Sequence, residues 1–169
     1  SIDSLEFTKN SSWLPNASAC LKLVETGNKL RVAVDFKFLR RIAEKSEGSA
    51  DDRFFSLYQA SYKDFYFPLW LKKGEDKKIY SKLGSGIHQK ILGQIEAEIE
   101  ADNYFKKEIS KIKRMIITDL LFSKNFETSK EQVLKELNSI YNHHPFKEKE
   151  KQMIADKIKK INSANTEFS

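Results

Sequence analysis

Leu83–Phe122 reads LGSGIHQKILGQIEAEIEADNYFKKEISKIKRMIITDLLF, and its spacing decides the fold. Ile87, Ile91, Ile95 and Ile99 recur every fourth residue. Past Asp102-Asn103 the apolar positions resume as Phe105, Ile109, Ile112, Ile116 and Leu120. Residues three and four apart share a helix face, so each run lays an apolar stripe along a helix. The stripe changes phase at Asp102-Asn103, which predicts a break or kink there. Glu96, Glu98, Glu100 and Asp102 fall in the first half. Lys106, Lys107, Lys111, Lys113 and Arg114 fall in the second, an order that suits the helix dipole.

Towards the N-terminus, Leu71 to Lys82 is polar and Lys-rich and reads as a loop. Before it, Ser49-Ala50-Asp51-Asp52 reads as a helix start, with Ser49 as cap and two acids at the positive end of the dipole. Phe54, Tyr58, Ser61/Tyr62 and Phe65 continue at helical spacing, and the helix should stop before Pro68. Leu21 and Leu23, then Leu30, Val32, Val34 and Phe36, alternate on either side of Thr26-Gly27-Asn28. Two period-2 runs joined by residues that tolerate positive φ predict a hairpin, with Leu5–Thr8 as a candidate third strand. Phe38, Leu39 and Ile42 suggest a short helix or a continuation of the strand.

Towards the C-terminus, Thr128 and Glu131 match a capping box. Val133, Leu134, Leu137, Ile140 and Tyr141 then run at helical spacing to His143-His144-Pro145. A last helix is expected from about Pro145 through Met153, Ile154, Ile158 and Ile161. Together these elements predict an α+β, mainly helical fold of five or six helices with a small N-terminal antiparallel hairpin or three-stranded sheet. The chain reads as a single domain, 1–169, in which residues 1–48 are strand-rich, 49–162 are helical and 163–169 form a frayed tail.

Composition narrows the function classes. Twelve Phe, six Tyr and two Trp argue against disorder. No apolar run approaches the roughly 18 residues that span a bilayer, so a soluble protein with no membrane span is expected. The net charge is +6, but Lys and Glu are intermixed with no block of one sign, and no nucleic-acid partner is expected. Lys107, Lys111 and Arg114 share one helical face, interrupted by Glu108 and Asp119. Cys20 is the single cysteine and has no internal disulfide partner. Asn16-Ala17-Ser18 matches the glycosylation pattern. The chain begins at Ser1 without a visible signal peptide. That suits a bacterial envelope or periplasmic binding protein whose leader has been removed, and equally a cytoplasmic adaptor.

Four clusters carry candidate chemistry. Gly84, Ser85, Gly86 and His88 form a Gly-rich turn at a helix start, where several N–H groups can point at a phosphate or carboxylate. The stretch is neither a P-loop nor a dinucleotide fingerprint, and the plainer reading is a tight turn with Ser85 as helix cap. Ser85 and His88 lack the third group a nucleophile–base pair needs, so no catalytic residue is assigned. His143-His144 and the acids Glu96, Glu98, Glu100 and Asp102 supply too few ligands for a zinc or calcium site. No metal or cofactor is expected.

The last cluster is the ring-rich segment Phe54–Trp70, with eight aromatics in seventeen residues. This density exceeds what one helix face needs, so some rings should be solvent-exposed or face a partner. Tyr62, Tyr66 and Trp70 are the expected protein-binding residues, since Tyr and Trp supply binding energy at interfaces. The sequence therefore reads as a non-catalytic interaction protein that binds another protein or peptide. The alternative is an enzyme or anion-binding domain using Gly84–His88.

Overall fold

A computed structural model describes residues 21–26, 29–45, 49–63, 67–100 and 105–163. The expected third strand at Leu5–Thr8, together with Asn16, Cys20, the 27–28 loop, Tyr66 and Asp102-Asn103, lies outside them. The chain divides into two compact units, Ser1–Asp52 and Arg53–Ser169. No linker composition marks the division, because it falls inside a helix.

In the first unit, β1 (Leu21–Thr26) pairs antiparallel with β2 (Lys29–Val34), Leu21 opposite Val34 and Thr26 opposite Lys29. The alternating runs form the expected hairpin. The next element is a helix, α1 (Phe36–Ala43), and not a continued strand. Asp35 starts it: its carboxylate accepts the Phe38 N–H at 3.2 Å, satisfying one of the donors a helix start leaves free.

Helix α2 (Ser49–Ser61) carries the chain into the second unit. It ends four residues before the expected Phe65. Ser61 Oγ turns back to donate to the Leu57 carbonyl at 2.7 Å, and the Leu69 N–H donates to the Ser61 carbonyl at 2.9 Å. The chain then doubles back as β3 (Tyr62–Lys63) against β4 (Phe67–Pro68).

The expected loop at Leu71–Lys82 is instead a third antiparallel pair, β5 (Leu71–Lys73) against β6 (Ile79–Ser81). Each strand is only three residues long, too short for a period-2 pattern to register. Asp76 builds the turn, accepting the Lys78 N–H and the Tyr80 hydroxyl, each at 3.0 Å. On the far edge of β6, the Ser81 N–H donates to the Asn125 carbonyl and the Ser81 carbonyl accepts the Glu127 N–H, both at 2.9 Å.

Four helices complete this unit: α3 (Ile87–Glu100), α4 (Lys106–Phe122), α5 (Lys130–His143) and α6 (Glu148–Ser163). The long stretch does divide into two helices. α3 packs on α4 and α5, and α6 packs on α5 and α4, closing a ring of contacts. Their stripes meet in one core, with Ile91, Leu92, Ile95, Ile109, Ile112, Ile116, Leu120, Val133, Leu137, Ile140, Ile154 and Ile161 buried. Burial of each such side chain stabilises by roughly 1.5–3 kcal/mol. The capping box of α5 sits one residue later than expected: Ser129 Oγ accepts the Gln132 N–H, and the Gln132 side chain accepts the Ser129 N–H. Thr128–Glu131 and Ser129–Gln132 fit the same local pattern, and Thr128 is claimed by a distant carbonyl, that of Leu83.

Candidate functional site

The turn before α3 has the conformation its glycines permit, with φ of +100° at Gly84 and +83° at Gly86. Its N–H groups do converge on an anion, and the anion belongs to the protein. Glu136 on α5 is 5% exposed. One of its oxygens accepts the N–H groups of Gly84 (2.5 Å) and Gly86 (2.9 Å); the other accepts that of Gln89 at 3.1 Å. The capping role expected of Ser85 is thus filled by a carboxylate about fifty residues away. The donors an external phosphate would use are already engaged. The turn is pinned from outside as well. A side chain at Gly84 would meet Thr128 Oγ1 and the Val133 backbone nitrogen, the latter at 2.9 Å, whereas Gly86 faces open space.

His88 is buried completely beneath this turn. Its Nε2 lies 2.8 Å from Asp119 Oδ2, which also accepts Ser81 Oγ at 2.6 Å. The other Asp119 oxygen accepts Ser123 Oγ. A serine, a histidine and an aspartate are together, but in the wrong order for acyl transfer. A nucleophilic serine must donate to the imidazole, whereas Ser81 donates to the acid. Ser81 also accepts the Leu83 N–H at 3.1 Å and is itself buried. The cluster ties the end of β6, the start of α3 and the end of α4 through three hydrogen bonds on one carboxylate. Ser81, His88 and Asp119 are all buried, and the second ring nitrogen of His88, Nδ1, has no hydrogen-bond partner among the described residues.

Two further candidates resolve into ties within the fold. His144 comes directly after α5, and its Nδ1 lies 2.9 Å from Glu96 Oε1 on α3. His143, the last residue of α5, has its Nδ1 2.8 Å from the Ser139 carbonyl of the preceding turn. Glu98 is buried and pairs with Arg53 at 3.3 Å. Glu96 and Glu98 are therefore not members of a solvated acidic face. Lys107, Lys111 and Arg114 do lie exposed on α4. Among the described residues no group of histidine, cysteine and acidic side chains is placed to hold a metal ion. Nor is any helix there long and apolar enough to cross a membrane.

The rings of α2 and β3–β4 find most of their partners in one another. Phe54 stacks on Phe105 with centroids 4.1 Å apart and tilts against Phe55 and Tyr58. Tyr58 packs on Tyr62 at 4.7 Å, and Tyr62 on Trp70 at 5.8 Å. Trp70 is 1% exposed, which corrects the expectation that it faces a partner: it is the core ring behind the others. Phe55, Tyr58 and Tyr62 are half-buried and line the outer side. Tyr62 donates its hydroxyl to Met115 Sδ at 3.4 Å. Burial holds both phenols above the usual tyrosine range, and the charge on Tyr58 adds to the rise at Tyr62. Tyr66 lies outside the described residues.

Sequence reasoning missed Asp119, Glu136 and Lys157. The first two left a signal, since each is an acid in the buried phase of its helix, beside Leu120 and Leu137 respectively. Such an acid must find donors inside the fold. Lys157 left none; it reaches across from α6 to the Ser123 carbonyl at 2.5 Å, over the Phe126 ring. Comparison of the chain with protein-family models, curated proteins and solved structures finds no match.

Proposed function

We propose that this protein binds another protein or a peptide and does no chemistry on it. The observation that carries the reading is how the reactive-looking groups are spent. Gly84, Gly86 and Gln89 donate to Glu136, while His88, Ser81 and Ser123 converge on Asp119. Catalysis needs such groups presented to a substrate, and anion binding needs the donors unoccupied. The half-buried rings Phe55, Tyr58 and Tyr62, braced from behind by Phe54 and Trp70, suit a contact surface. Rigid aromatics with a polar tip bind at low entropic cost.

The test is partner recovery by cross-linking with the wild-type chain as bait, repeated with Tyr58→Ser, Tyr62→Ala and Tyr66→Ala. Folding of each variant is checked by circular dichroism. Folded variants should lose the recovered partner. A folded set that keeps it at undiminished affinity removes the ring face from the proposal. Turnover of a substrate that His88→Ala abolishes would replace binding with catalysis.

A further inference from the structure

Ile42, on the last turn of α1, is 52% exposed. Phe38, Arg41, Ile42 and Lys45 stand at i, i+3, i+4 and i+7, the spacing of one helix face. The turn runs on past the end of α1: Glu44 keeps helical dihedrals, and the Lys45 N–H donates to the Ile42 carbonyl at 3.0 Å. The four side chains line one open hollow together with Glu44. Within it the Arg41 guanidinium lies over the Phe38 ring, 5.9 Å from its centroid. Phe38 is half-buried, and Arg41 and Lys45 are exposed. We infer that this face of α1 docks on the surface of a bilayer that carries anionic lipids. The inference goes beyond the binding of a protein proposed above, because the ring face belongs to the other unit.

The charges argue for the occupant. Glu44 is the acid of this turn, and its Oε1 lies 3.3 Å from Arg40 Nε. Asp35, at the other end of α1, accepts the Phe38 N–H at 3.2 Å. Among the described residues neither Arg41 nor Lys45 has an acid within ion-pair distance. The hollow therefore presents two cations beside an apolar pair, with its one acid held towards Arg40. A protein groove that covered Phe38 and Ile42 would also desolvate Arg41 and Lys45, and would have to set a carboxylate against each. A bilayer interface requires no such fixed match. Phe38 and Ile42 reach the acyl boundary, while the long stems of Arg41 and Lys45 carry their charges back to the headgroups. Mobile anionic lipids can then gather at either cation. A short helix with two apolar contacts makes the attachment reversible and dependent on lipid charge.

Flotation of the full chain with phosphatidylcholine vesicles, with and without phosphatidylserine, tests this. The chain should float with the anionic vesicles, less so as salt rises, and stay behind with phosphatidylcholine alone. Arg41→Glu with Lys45→Glu should lower vesicle affinity by about tenfold or more. Ile42→Ser should lower it too, whereas Ile42→Leu, which keeps the apolar contact, should float like the wild type. Lys149→Glu, an exposed position on α6 in the other unit, should change nothing. Circular dichroism checks that each variant is folded. A labelled glutamate-rich peptide, followed by fluorescence anisotropy, stands for a soluble acidic partner. Absence of flotation, equal flotation with neutral vesicles, flotation that the folded α1 variants leave intact, or binding of the peptide alone overturns the inference.

Discussion

The Glu136 carboxylate accepts the Gly86 N–H at 2.9 Å across about fifty residues of sequence. The contact fastens the start of α3 to the middle of α5. It turns a site that looks made for a ligand into a joint of the fold. Replacing Glu136 with alanine would leave three backbone donors without their acceptor. The expected cost is about 2–4 kcal/mol in urea unfolding, with Gln intermediate.

The two glycines of the turn should separate cleanly. Gly84→Ala meets both an unfavourable φ and a backbone nitrogen at 2.9 Å, whereas Gly86→Ala meets only the φ. We expect about 1–2 kcal/mol for Gly86→Ala and clearly more for Gly84→Ala, read from denaturant midpoints. Equal costs would mean the turn does not press against the start of α5.

The rings make opposite predictions. Trp70 is enclosed and Phe122 is not. Trp70→Ala should cost about 3–5 kcal/mol, and Phe122→Ser should change stability by about 0.5 kcal/mol or less. The contrast reverses the sequence expectation, in which Trp70 faced outward.

Alkaline pH should report on Tyr58 and Tyr62. Both are held above the ordinary 10.0 by burial, so the folded chain keeps protons that the unfolded chain releases. Their contribution is intact below pH 10.0 and lost as pH rises through the folded values. Tyr58→Phe with Tyr62→Phe should flatten the decline in stability above pH 10.0. Lys157 acts in the opposite sense, because burial lowers its pKa and its charged form costs stability that rising pH relieves. The slopes are therefore best compared with Lys157→Met in both chains.

What the sequence revealed of the fold was whatever repeats. The stripes through Ile91 and Ile95, and through Ile109, Ile112, Ile116 and Leu120, are the faces that became core. The hairpin at β1–β2 was legible too, from Leu21 and Leu23 on one side of Gly27-Asn28 and Leu30, Val32 and Val34 on the other. β5 and β6 were not legible, because three-residue strands take their stability from Asp76 in the turn and from the pairing of Ser81 with residues 125–127. The candidate site was half visible. Gly84–His88 announced a cradle for an anion, but which anion depended on Glu136, and no local pattern links positions so far apart. Ring density before Trp70 likewise suggested an outward excess. Phe105 at the start of α4 and the stacking of rings on one another absorbed much of it.

The most direct measurement is a phosphate titration of the wild-type chain, followed through the amide resonances of Gly84, Gly86 and Gln89. With Glu136 in place, we expect those three resonances to stay still at every phosphate concentration and their amides to remain protected from exchange. A saturable shift at all three, with Glu136 displaced, would make the turn an external anion site and contradict the claim that its donors are committed to Glu136, on which the proposed function rests.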